Sequence, residues 1–170
     1  MQSGFIRGLS WLGGPILWIA LLVVDGATEA TSDSAVEINL VQNRLAVNGY
    51  DPVAYFTDGV PVPGRPALEH EVGGAVYRFA SEENRRRFMS DPQRFTPAYG
   101  GFCAYGVRAG RKLPADPMAW RIVDGRLFLL LNPGTKTIWE LNLGENIVSA
   151  DAIWPKILTL TDAELQSRVP

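Results

Sequence analysis

Two tight chain reversals constrain this sequence more than any other feature. The stretch ALEHEVGGAVYRFAS, residues 67–81, places alternating runs on either side of Gly73-Gly74. The stretch AWRIVDGRLFLLLN, residues 119–132, does the same around Asp124-Gly125. Gly-Gly and Asp-Gly loops tolerate the positive φ that a type I′ turn needs, and that turn matches the twist of paired strands. Each stretch is therefore an expected β-hairpin. Between them lies SEENRRRFMSDP, a helical pattern. Ser81 is its expected N-cap, Glu82 and Glu83 suit its first turn, and Asp91-Pro92 stops it. Hairpins interleaved with short helices indicate an α+β domain, and they exclude the regular βαβ alternation of a doubly wound sheet.

The remaining stretches fit around this frame. Residues 36–56, VEINLVQNRLAVNGYDPVAYF, read as a strand, an Asn48-Gly49 turn and an extended piece. TDGVPVPGRP, residues 57–66, is a Gly/Pro loop. Residues 133–160 are helical in period, as two helices broken near Gly144. TDAELQSRVP is a polar tail in which Thr161 is placed to cap a last helical turn.

The N-terminus has the layout of a secretory signal: one cation at Arg7, an apolar run from Leu9 to Val24, then the small polar DGATEA. The run is about 16 residues, short of the roughly 20 that span a bilayer comfortably. Thr28 and Ala30 form a small-x-small site with the cut after Ala30. An uncleaved membrane anchor is the alternative. Both readings export the folded part, to the periplasm or the cell exterior, with membrane contact only through this segment. The expected organisation is 1–30 signal or anchor, 31–46 leader, 47–157 domain and 158–170 tail.

Charge and cysteine content narrow the function. Sixteen Lys and Arg against eighteen Asp and Glu leave a net charge of −2. The one basic run, Arg85-Arg86-Arg87, spreads around a helix beside Glu82 and Glu83, so no nucleic-acid footprint is present. A single cysteine, Cys103, rules out an intramolecular disulfide. Stability must come from a packed core, which about 140 residues can supply. An odd thiol in an oxidising compartment is exposed to oxidation unless it is buried or bound.

Four separated segments, GYDPVAYF, VYRFASEENRRRF with DPQRF, YGGFCAYGV, and VDGRLFLLLN, resemble the YHS-domain family, and within it the exported bacterial single-domain group. The resemblance spans roughly residues 47–157. It implies a small treble-clef-like α+β fold of hairpins and short helices with C-terminal helices, and an association with heavy-metal handling. The metal-binding version carries cysteines where this chain has Ala54, Ala80 and Asn84. None of these three can bind as a thiolate, so the usual cysteine cluster is absent.

One histidine and one cysteine remain as soft or borderline ligands. Strand alternation puts His70 on a face with Leu68 and Val72, opposite Glu69 and Glu71. It is then either a partly buried histidine bonded within the fold or a ligand beside Cys103. The resemblance favours the second, because exported proteins of that group often show His and Cys in these two segments. Such a pair would suit copper or zinc, completed by Met, Asp or Tyr. The same pair would also suit a thiol nucleophile of lowered pKa. Cys103 is otherwise a small apolar residue after a glycine turn. Met89 and Met118 read as core filler, with Met118 the better ligand candidate. Asp51 and Asp116, each before proline, read as turn starters. Tyr50, Tyr55, Phe56, Tyr99, Phe102 and Tyr105 are mostly expected in the core, or lining a cleft for a flat ligand. Lys112 reads as a solvated loop residue. The leading expectation is an exported module binding a metal ion or small ligand, with His70 and Cys103 as its centre and Asp51, Tyr55, Tyr99, Tyr105, Lys112 and Met118 as candidate lining. Its rivals are a metal-free interaction module, meeting another exported or membrane protein, and a small redox enzyme.

Overall fold

A computed structural model describes residues 37–41 and 44–167; the expected signal or anchor lies outside the described residues. In chain order the elements are β1 (Leu40–Val41), β2 (Leu45–Ala46), α1 (Ala54–Thr57), β3 (Arg65–Val72), β4 (Ala75–Phe79), α2 (Glu82–Ser90), α3 (Pro92–Phe95), α4 (Ala104–Arg108), β5 (Asp116–Val123), β6 (Arg126–Leu130), α5 (Pro133–Leu141), α6 (Leu143–Ile157) and α7 (Asp162–Ser167). The fold is α+β, as the two hairpins require.

Both hairpins close at their expected turns. Gly73 and Gly74 have φ of 58° and 78°, and Asp124 and Gly125 have 50° and 74°. The first hairpin sits in a four-stranded sheet of order β1-β2-β4-β3; β5 and β6 form a second sheet of two. β3 pairs antiparallel with β4, with His70 opposite Tyr77, and the register shifts between Arg65 and Glu69 around Pro66, which has no N–H to donate. β2 joins β4 in parallel through Leu45 and Val76.

β6 organises the packing. Leu127, Phe128, Leu129 and Leu130 are all at most 2% exposed. Alternation sends Leu127 and Leu129 to a first core with Val53, Tyr55, Tyr77, Phe79 and Phe88. It sends Phe128 and Leu130 to a second core with Tyr99, Cys103, Val107, Trp139 and Ala150. One strand thus separates two cores.

The helices start and stop for local reasons. Ser81 Oγ accepts the Asn84 N–H at 3.1 Å and starts α2. Asp91 starts α3, taking the Arg94 N–H. Asn132 Oδ1 accepts the Thr135 N–H at 2.8 Å and starts α5. The break between α5 and α6 falls at Asn142, φ −132° and ψ 53°, two residues before the expected glycine. Buried Asn146 bridges it, its side-chain amide donating to the Trp139 carbonyl at 2.7 Å.

Two sequence expectations are corrected and a third is extended. Residues 54–57 are a helical turn, not an extended piece, because Asp51 turns the chain immediately before them. The leader contributes to the fold: Ala46 is buried, and Ile38 and Leu40 pack on the first core. The tail's expected helical turn is present as α7, capped as expected at Thr161, with Glu164 completing a reciprocal capping box and Leu165 buried in the second core.

The YGG loop explains its own glycines. Tyr99, Gly100 and Gly101 all have positive φ, at 56°, 61° and 81°. The strap of residues 37–41 crosses directly above: the Asn39 N–H donates to the Gly100 carbonyl at 2.8 Å, and its side-chain amide to the Gly101 carbonyl at 3.1 Å. A Cβ on Gly100 would lie 2.0 Å from the Glu37 carbonyl oxygen. Gly100→Ala is therefore expected to cost about 2 kcal/mol or more, through clash and left-handed strain together. Urea unfolding would measure the loss, and hydrogen exchange at the Asn39 amide should accelerate more than at the β5–β6 hairpin.

Candidate functional site

Two of the four segments, GYDPVAYF and VYRFASEENRRRF, converge on one carboxylate. Asp51 is fully buried. Its Oδ1 accepts the backbone N–H groups of Val53 and Ala54 at 2.8 and 3.3 Å. Its Oδ2 accepts the Ala80 N–H at 2.8 Å and the Asn84 side-chain amide at 2.7 Å. An unpaired buried carboxylate would cost several kcal/mol, and four donors offset that. The turn-starting role read from Asp-Pro is thus half of its work. The other half ties the start of α1 to the end of β4 and the first turn of α2. Ala54, Ala80 and Asn84, the three positions the family resemblance singles out, meet at this group.

His70 and Cys103 belong to different cores. Cys103 is fully buried and is the residue before α4. Its N–H donates to the Leu113 carbonyl at 2.9 Å, and its carbonyl accepts the Val107 N–H at 3.0 Å. Its thiol packs among second-core side chains. His70 is half-buried on the face with Leu68 and Val72, as alternation requires. Its ring stands edge-on to Phe88 of the first core, at 6.3 Å and 74°. Among the described residues the ring makes no hydrogen bond, so aromatic packing stands where a bond within the fold was expected. No group of three His, Cys, Asp or Glu side chains suited to a metal ion occurs among the described residues.

The other candidates are mostly scaffold. The Tyr55 hydroxyl donates to the Pro117 carbonyl at 3.0 Å, and its ring meets Trp120 edge-on at 5.2 Å. Burial, then the nearby Tyr50, Asp116 and Asp51, pushes its pKa well above the usual phenol value. The Tyr99 hydroxyl donates to Asp151 Oδ1 at 2.8 Å. Burial, then that bond, pushes its pKa up as well. Arg126 grips Asp151 with two bonds, at 2.8 and 3.0 Å, and lies over Phe128 at 4.9 Å. Tyr105 is half-buried beneath the Arg108 guanidinium. Lys112 is not a solvated loop residue. Its Nζ donates to the carbonyls of Leu158 and Leu160 at 2.7 and 2.9 Å, closing the end of α6 where the helix dipole favours a cation. Met89 and Met118 are 47% and 57% exposed, so neither fills the core. Met118 points outward because β5 alternates at that point. Asp116 starts its turn as expected, accepting the Met118 N–H.

A cleft of about 350 Å³ lies between α1, α2 and α3, lined by Phe56, Thr57, Arg87, Ser90, Asp91, Arg94 and Phe95. Phe56 and Phe95 meet edge-to-face at 5.5 Å. Arg94 lies over the Phe95 ring at 5.6 Å and has no carboxylate partner among the described residues. Thr57 and Ser90 donate their hydroxyl protons to the Val53 and Arg87 carbonyls, leaving oxygen lone pairs as acceptors. Sequence reasoning missed Arg87 and Arg94 as lining. The arginine run was read as a helix face balanced by Glu82 and Glu83, and that balance is present: Glu83 holds Arg86 and Arg87 at 2.7 and 3.0 Å. Those bonds hold its carboxyl below the usual range, Arg86 first. DPQRF contains the signal, a single unbalanced arginine beside an aromatic, but not its pairing with Phe56.

The chain matches no family model, no curated protein and no solved structure.

Two measurements test this account. Asp51→Ala strands buried donors at Val53, Ala80 and Asn84 and is expected to cost about 3–5 kcal/mol in urea unfolding. Asp51→Asn keeps one acceptor and should cost less; a loss under about 1 kcal/mol for the alanine variant would remove the network from the scaffold. Asp151 supplies a pH dependence. Its carboxyl is pulled below the ordinary range, chiefly by the Arg126 bonds, then by Tyr99. A lowered folded pKa stabilises fully above the unfolded value of about 3.9 and is lost as pH falls through the folded value. The stability gap between wild type and Asp151→Asn should therefore be open at neutral pH and close in acid.

Proposed function

We propose that this chain is an exported YHS-like module that binds its ligand without a metal, in the cleft beside α3. The observation that carries the reading is the Asp51 carboxylate with its four donors. The positions from which the resemblance would draw thiolates are joined here by hydrogen bonds, and among the described residues no group of three His, Cys, Asp or Glu side chains stands at the junction. The cleft supplies what a ligand needs: an aromatic floor at Phe56 and Phe95, two guanidinium groups, and hydroxyl oxygens at its wall. That combination suits a small molecule with a flat apolar body and one carboxylate, held by a charge-assisted bond to Arg94.

The reading is tested on the purified full chain. After dialysis, elemental analysis should find no stoichiometric copper or zinc, and a chelator should leave the melting temperature unchanged. Stoichiometric metal that disappears in His70→Ala and Cys103→Ser would instead establish a His70/Cys103 centre. Benzoate serves as the ligand probe. Its titration should shift the NMR signals of Phe56, Phe95 and the Arg94 guanidinium, and Arg94→Ala should weaken binding about tenfold.

A further inference from the structure

We infer that the outward face of α6 is a self-complementary surface that pairs two copies of this chain, with the helices antiparallel about a two-fold axis at the level of Ala150. The inference does not depend on the cleft reading. α6 buries Asn146, Ala150 and Ile157 and half-buries Leu143, Ile147, Ile153 and Trp154 against the second core. The opposite side carries Gly144, Glu145, Val148, Asp151, Ala152, Pro155 and Lys156, all exposed, and Glu145, Val148, Ala152 and Lys156 form one stripe along it. At 3.6 residues per turn these four fall within an arc of about 80°. A solvent-facing stripe is normally polar, whereas the middle of this one is Val148, 70% exposed, and Ala152. Leu141, 74% exposed, ends α5 just before α6 begins.

The charges at the ends of the stripe select the occupant. Glu145 lies in the first turn of α6 and Lys156 in the last. Neither has an ion-pair partner among the described residues, unlike Glu140, which meets Lys136 and Arg121. The helix dipole favours this placement of charge but does not account for the apolar residues between. Reversing one α6 against another supplies both. Glu145 then faces the partner's Lys156, and Val148 faces the partner's Ala152. Because the operation is a two-fold, each contact occurs twice. The small Ala152 allows the axes to approach to about 8–10 Å, the ordinary spacing of packed helices.

Sedimentation velocity of the full chain in a mild non-ionic detergent, over a concentration series, tests the pairing through charge reversal. Glu145→Lys and Lys156→Glu each set like charges opposite one another twice and should weaken self-association about tenfold. The double variant restores opposite charges and should return association to near the wild-type level. Both substitutions are on exposed positions, and thermal unfolding checks that each of the three variants stays folded. Added salt should weaken the wild-type dimer. A monomer at every concentration, or association that is the same in all three variants, as pairing through the apolar N-terminal segment would give, overturns the inference.

Discussion

Strand β6 is buried on both faces, and most of the architecture follows from that. A strand of a two-stranded sheet ordinarily has one wet face. Here Leu127 and Leu129 close the first core while Phe128 and Leu130 close the second. Truncating any one would cost about 2–5 kcal/mol, since neither side has solvent to fill the gap. The C-terminal helices exist in this fold to cover the second face: Trp139 of α5 packs on Phe128 with the rings tilted at 43° and 5.3 Å apart, and Ala150 and Ile157 of α6 join the same core. The division also decides the polar candidates. His70 approaches Phe88 on one side, and Cys103 is packed on the other. Nearness in a list of chemically able residues did not translate into nearness in space.

The first core depends in turn on a charge. Asp51 is a poor choice for a fully buried position unless its oxygens are satisfied, and satisfying them requires three separate pieces of chain to arrive together. A buried carboxylate adds little net stability compared with a well-packed apolar group. Its effect is geometric: any arrangement that leaves Ala80 or Asn84 elsewhere strands the charge. The Asn84 side chain can reach Asp51 because Ser81 fixes where α2 begins. A helix cap is thus coupled to a loop about thirty residues earlier in the chain.

Local chemistry was legible in the sequence, and distant partners were not. The Gly73-Gly74 and Asp124-Gly125 turns, the Ser81 cap, the Asp91-Pro92 stop and the exposed side of β3 each depend on residues within a few positions of one another. The α1 turn was misread because its cause, the acceptor Asp51, competes with an alternating pattern that looks extended. Lys112 was misread because its partners, the carbonyls at the end of α6, lie some forty-six residues away. The tail looked polar, but a single Leu165 decides its fate once the second core offers a place. The cleft was invisible for the same reason: Phe56 and Phe95 are unremarkable until three short helices bring their rings together.

The YGG loop shows how two readings of one stretch separate on geometry. Glycines before a cysteine suit either a loop that presents a thiol or a loop that lets another strand pass. Tyr99 itself adopts the left-handed conformation, which costs a non-glycine residue about 1–2 kcal/mol. That strain must be offset, and three contacts do so: its hydroxyl on Asp151, the Arg126 guanidinium 5.6 Å from its ring, and Trp154 at 5.9 Å. All of them pull the loop inward. On the other side the Glu37 carbonyl fills the space a Gly100 side chain would need. Three successive left-handed residues reverse the chain under the strap, so that Phe102 and Cys103 enter the second core pointing away from solvent. The glycines therefore serve the approach of the strap, and the cysteine after them is held away from solvent, where oxidants reach it poorly.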